Sequence, residues 1–95
     1  METITVYDPT LPRAQQPFFL APRPRDVRGL RLGLVDNTKH NAAALLNDLA
    51  AALVETAEAG AFHMWPKHSA SQPMRAELVE TVAAGCDLAI CGVGD

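Results

Sequence analysis

Three polar clusters carry the residue types that chemistry needs: Asp36-Asn37-Thr38-Lys39-His40, Lys67-His68-Ser69-Ala70-Ser71 and Gly92-Val93-Gly94-Asp95. Asp36 can be an acid, a base or a metal ligand, or can simply accept hydrogen bonds from loop amides, and Asn37 carries the same ambiguity. Lys39 and Lys67 suit holding an anionic group near a helix N-terminus, where backbone amides also favour negative charge. His40 and His68 can act as bases or ligands at neutral pH, but no third ligand stands at helical spacing to complete a metal site. Ser69 and Ser71 fit either helix capping or anion contact. Cys91 lies in an apolar run and reads as a small buried hydrophobe, Cys86 as a structural or loop thiol. Five residues apart, the two match neither a C-x-x-C redox helix nor half of a zinc site. Gly92-Val93-Gly94 lacks the third glycine and the helix behind it that a dinucleotide-binding loop requires. No cofactor and no metal is expected.

These clusters need elements to position them. Arg31 to Val35 is a short apolar run closing on Asp36-Asn37, the pattern of a buried parallel strand that ends in a polar loop. Asn41 to Ala59 is rich in Ala and Leu, with Leu45, Leu49 and Leu53 at i, i+4, i+8 and Leu46 beside them, which predicts an amphipathic helix. Asn41 suits its N-cap and Gly60 its left-handed C-terminal position. Glu55 and Glu58 oppose the helix dipole. Ala61 to Trp65 reads as a second strand ended by Pro66, with His63 packed inside it or at an edge. A second helix follows, with Pro73 near its first turn, Ser71 or Gln72 as its cap, Leu78, Val79 and Val82 on one face and Gly85 after it. Asp87 to Val93 is a third strand, apolar on both faces.

Strand, helix, strand, helix, strand at this spacing predicts an α/β fold, a three-layer, Rossmann-like parallel sheet of order 2-1-3. Ligands in such sheets bind beyond the carboxyl ends of the strands, where all three polar clusters would converge. Nothing follows the third strand to pair with its outer edge, so residues 30–95 read as a βαβαβ half-domain cut short. Residues 1–29 hold five of the seven prolines and read as an extended arm without helix. Thr3 to Tyr7 alternates like a short edge strand, and Phe18, Phe19 and Leu20 are the expected anchor of the arm on the body.

The chain has 95 residues, 48% of them hydrophobic and 20% charged, enough for one small and marginally buried domain. The net charge of −3 argues against a nucleic-acid binder, which needs a surplus of Lys and Arg. The charge is uneven. Residues 1–31 hold five basic side chains against three acidic, +2, and residues 32–95 three against eight, −5. No apolar stretch is long enough for a membrane span, and Glu2 and Asp8 stand where a secretory signal would be positive. The expectation is a cytoplasmic protein.

Taken together, Val6-Tyr-Asp-Pro9, Ala21-Pro-Arg-Pro24, Leu32-Gly-Leu-Val-Asp-Asn-Thr-Lys-His-Asn41, Lys67-His-Ser-Ala-Ser71 and Cys86-Asp-Leu-Ala-Ile-Cys-Gly-Val-Gly-Asp95 resemble the N-terminal part of the UGSC family of (seleno)proteins. In that family the next residues are selenocysteine or cysteine, then Gly-Ser-Cys. The sequence stops immediately before that position, and selenocysteine is encoded by UGA, normally a stop codon. The expectation is therefore a fragment, inactive by itself, of a domain with thiol- or selenol-dependent redox chemistry. The resemblance places Asp36, Asn37, Lys39, Asn41, Lys67, Ser69 and Asp95 around a pocket for a small-molecule or thiol substrate, with the nucleophile following Asp95. The alternative is a complete binding or assembly module that pairs through residues 87–93 with a second copy or a partner chain. A third reading is a small anion-binding regulator using Lys39, Lys67 and the two helix N-termini.

Overall fold

A computed structural model describes residues 3–7, 9 and 19–94. Its elements run β1 (Leu32–Asp36), α1 (Ala42–Ala57), β2 (Phe62–Pro66), α2 (Ala76–Gly85) and β3 (Leu88–Gly92). The three strands form one parallel sheet of order β2-β1-β3, the α/β arrangement predicted. Register is continuous: Leu32 pairs with Phe62 and Leu88, and Asp36 with Pro66 and Gly92. All three carboxyl ends therefore lie level at one rim of the sheet.

Because side chains alternate across a strand, the sheet has two distinct faces. Leu32 and Leu34, essentially without solvent exposure, pack with Leu46, Ala50 and Ala59, while Met64, Leu88 and Ile90 pack against that cluster from the neighbouring strands. Burying side chains of this size contributes about 1.5–3 kcal/mol each. The opposite face carries Gly33, Val35, Trp65, Ala89 and Cys91, with Val82 the buried residue of α2. Gly33 and Gly85 form a notch for Trp65: a Cβ at Gly33 would come within 3.0 Å of the indole, and one at Gly85 within 2.8 Å.

The stripe of α1 that meets the sheet is Ala42, Leu46 and Ala50, not the predicted Leu45, Leu49 and Leu53. Leu45 and Leu49 are exposed, at 54% and 42%, and only Leu53 packs against the core. The two stripes share one period and differ by a single residue. The small Ala42 and Ala50 let the helix approach the strands closely, and that decides between them.

Local signals at the helix ends also resolve differently. Asn41 is the N-cap of α1, but its backbone is left-handed, φ 62°, and its side chain makes no capping bond. A side-chain cap needs extended backbone there to aim its oxygen at the first-turn amides. The left-handed position at the other end belongs to Glu58, φ 57°, rather than Gly60. Gly60 serves a close approach instead, since a Cβ would lie 2.8 Å from the Leu30 carbonyl oxygen. α2 starts at Ala76 with Arg75 as N-cap and no side-chain cap, so neither Ser71 nor Gln72 caps it and Pro73 lies outside it.

The N-terminal arm has neither helix nor strand among its described residues, and Thr3–Tyr7 form no strand. Phe19 and Leu20, at 93% and 71% exposure, do not anchor it; Phe18 falls outside the described residues. The anchor is Val27, which packs on the core next to the antiparallel bridge between Arg28 and Ala59. An exposed ion pair joins Arg28 to Glu58 at 3.0 Å, beside the Gly29 amide donating to the Glu58 carbonyl. No helix among the described residues is long and apolar enough to cross a membrane.

Candidate functional site

The rim formed by the three strand ends is tied together by backbone. Asn37 donates its amide to the Gly92 carbonyl at 2.7 Å, and Lys67 donates its amide to the Asp36 carbonyl at 2.8 Å. These bonds continue the ladders one residue beyond the strands and hold the loops after β1, β2 and β3 against one another. The Asn37 side chain adds a third tie, Nδ2 donating to the Val93 carbonyl at 3.2 Å. The peptide between Gly92 and Val93 is cis.

The loop from β1 into α1 is shaped by its own side chains. The Asp36 carboxylate accepts the Thr38 amide at 2.7 Å, and Thr38 Oγ1 donates to the Asn37 carbonyl at 2.7 Å, an Asx turn with a hydroxyl lock. Thr38 is left-handed, φ 61°. For a β-branched residue that conformation is strained by about 1–2 kcal/mol, and the two short bonds offset it. Asp36 thus takes the structural option the sequence left open, acceptor for a loop amide.

Between the ends of β1 and β3 lies an open cleft of about 370 Å³. Val35, Met74 and Val93 supply apolar walls, and Asn37, Lys67 and Cys91 supply the polar groups. The Gly92–Gly94 stretch completes the edge. A second cleft of about 350 Å³ shares Val35, Met74 and Cys91 and runs toward Val79 and Val82 of α2. Asn37 Oδ1 is buried without a hydrogen-bond partner, because the same amide group is held by its nitrogen on Val93.

Of the described residues predicted to share a pocket, the structure brings Asn37 and Lys67 to one cleft and places Asp36, Lys39, Asn41 and Ser69 outside its lining. Asp36 is engaged in its turn, Lys39 is half-buried in the same loop, and Asn41 is exposed at the start of α1. Ser69 accepts the Ser71 amide and contacts the Ser71 hydroxyl, a turn within the β2–α2 loop. Asp95 lies outside the described residues. His68 pairs with Gln72, His40 is exposed, and the exposed His63 stacks edge-on with Trp65 on the edge strand β2. Among the described residues no three His, Cys, Asp or Glu side chains group closely enough to hold a metal.

Cys91 is exposed and lines the cleft, contrary to the expectation of burial. β3 is an edge strand whose outward residues, Ala89 and Cys91, alternate exposed with half-buried ones, and an open cleft separates Cys91 from Val79 and Val82 of α2. Pairing with Val35 puts the Cys91 thiol on the face away from α1, and its place on an edge strand rather than its face leaves it exposed, since Val35 in the central strand is buried on that same face. Cys86 is half-buried and donates its Sγ hydrogen to the Val82 carbonyl at 3.1 Å. Among the described residues, the shifted titrations are at the opposite end of the sheet. Hydrogen bonding to Arg31 lowers the Asp87 carboxyl below its usual range, and the same contact raises Arg31, in a forked ion pair at 3.0 Å reinforced by the Arg31 amide.

The model of the UGSC family matches residues 5–95, nearly the whole chain, and the chain belongs to that family. No curated protein and no solved structure matches it.

Proposed function

We propose that this UGSC-family chain supplies the binding wall of a thiol- or selenol-dependent redox site, with the reacting chalcogen in a selenocysteine- or cysteine-Gly-Ser-Cys motif next after Asp95. The observation that carries this reading is the coincidence of the family match over residues 5–95 with a cleft whose edge is the Gly92–Gly94 segment leading to that position. Open parallel sheets bind ligands at this rim. Asn37 and Lys67 then orient the substrate, and the chalcogen acts from beyond β3. A chalcogenolate there is nucleophilic in its deprotonated form and is suited to disulfide exchange or attack on an electrophile.

Reading the message past the Asp95 codon tests it directly. An in-frame UGA or Cys codon followed by codons for Gly, Ser and Cys supports the proposal; any other continuation overturns it. The chemistry has its own test. A chain extended by Cys-Gly-Ser-Cys is expected to close a disulfide between its two motif cysteines on mixing with oxidised glutathione, releasing two reduced glutathiones. Exchange no faster than that of the free tetrapeptide would refute a role for the cleft.

A further inference from the structure

We infer that the cleft at the β1 and β3 ends binds a small monocarboxylate with an apolar body, its carboxylate held by Lys67 and its body lying against Val35 and Met74. The inference rests on the proposed site and names the class of molecule that fits it.

Charge comes first. Lys67 is the one charged residue among the described residues lining the cleft; the nearby Asp36 carboxylate is turned onto the Thr38 amide and is not part of the lining. A single ammonium matches one negative charge, whereas phosphate dianions are usually met by several donors or cations together. The remaining surface is mostly apolar. Val35 and Met74 are shared with the second cleft, so an apolar chain anchored at Lys67 has a continuous path toward Val79 and Val82. A volume of about 370 Å³ stands at the lower end of ligand sites, which means a small molecule rather than a nucleotide. The main chain of Lys67 is held at the rim, its own amide bonded to the Asp36 carbonyl at the first position beyond β2.

Cys91 makes the cleft measurable, as an exposed thiol on its wall. The 95-residue chain is treated in parallel with iodoacetate, a carboxylate, and iodoacetamide, its neutral analogue, and alkylation of Cys91 is followed by peptide mass spectrometry, with each rate normalised to a small neutral thiol. The ratio of the two rates cancels any change in thiolate fraction. In a protein of net charge −3 the iodoacetate rate should be depressed, so an elevated ratio at Cys91 reports Lys67. The Lys67→Met variant is expected to lower that ratio about fivefold, the factor that one charge contact in water supplies. Cys86, held on the Val82 carbonyl, should show no such change.

In the unaltered chain, hexanoate is expected to slow alkylation of Cys91 by iodoacetamide more than hexanamide or acetate does; this arm needs no variant to fold. A ratio that Lys67→Met leaves unchanged, or equal protection by hexanoate and hexanamide, would overturn the inference. Protection by inorganic phosphate as strong as by hexanoate would overturn the carboxylate assignment. Failure here leaves the coding test for the Gly-Ser-Cys motif unaffected, and a negative coding result leaves this binding measurable, so the two are separable.

Discussion

The notch between Gly33, Trp65 and Cys86 yields the most quantitative prediction. A Cβ built on Gly33 would stand 2.6 Å from Cys86 Sγ, 3.1 Å from Cys86 Cβ and 3.0 Å from the Trp65 ring. Gly33 lies in the central strand, with Leu32 and Leu34 on either side of it fully buried, so the backbone cannot yield easily. Overpacking of this kind costs about 1–3 kcal/mol. Replacing glycine in a strand returns about 0.5–1 kcal/mol of backbone entropy. Gly33→Ala should therefore destabilise the chain by up to about 2.5 kcal/mol net, centred on about 1 kcal/mol, and each kcal/mol is about 4–8 °C in Tm for a domain this size. Cys86→Ala removes a weak sulfur donor and a little packing, at a cost of about 1 kcal/mol. The double variant removes the worst contact, so its loss should fall short of the sum of the singles by about 1 kcal/mol. Urea titration of all four proteins measures this, followed by the fluorescence of Trp65, the only tryptophan, and by far-UV circular dichroism. Simple additivity would refute the packing described for this notch.

Three further outcomes are expected. Glu58→Gly should stabilise by up to about 1 kcal/mol, because it relieves a left-handed non-glycine residue and removes an acid from a helix C-terminus, against the loss of one exposed ion pair; a lower Tm would contradict that balance. Asn37→Ala should cost about 0.5–1.5 kcal/mol, since it removes the orphaned Oδ1 along with the bond to Val93, whereas Asn37→Asp loses the donor and sets a charge against the Val93 carbonyl; thermal melts should rank Asp below Ala. The Asp87 carboxyl is lowered in the folded chain, so its contribution is complete above the ordinary carboxylate pKa of about 3.9 and is lost as pH falls through the lower folded value. Asp87→Asn should flatten the acid limb of a stability-versus-pH curve below pH ~4 and leave its neutral part with the same slope; an unchanged acid limb would count against the Arg31 clasp.

The topology was legible in the sequence because it is a matter of period and punctuation. Runs such as Leu32–Val35 and Leu88–Cys91, separated by helical stretches of the right length, leave few arrangements besides a parallel sheet of order 2-1-3, and the polar clusters at the strand ends follow from that topology. The family resemblance was legible for a different reason, since its motifs are contiguous blocks of residues that survive without any knowledge of packing.

What the sequence could not decide was which of two equivalent choices the packed chain would take. The Leu45 and Ala42 stripes of α1 have the same period, and only the closeness of helix to sheet selects the alanines. Asn41, Glu58 and Gly60 all carry plausible end signals, and the bridge between Arg28 and Ala59 assigns their parts. Cys91 reads as buried from its apolar neighbours, yet exposure is a property of what lies across the sheet, and an open cleft lies between Cys91 and α2. In the same way seven polar residues were equivalent candidates in the linear order, while the ladder bonds from Asn37 to Gly92 and from Lys67 to Asp36 bring two of them to one cleft. Local chemistry is written in residue type and spacing; which side chains meet depends on contacts between residues far apart in the chain, and those exist only once the sheet has closed.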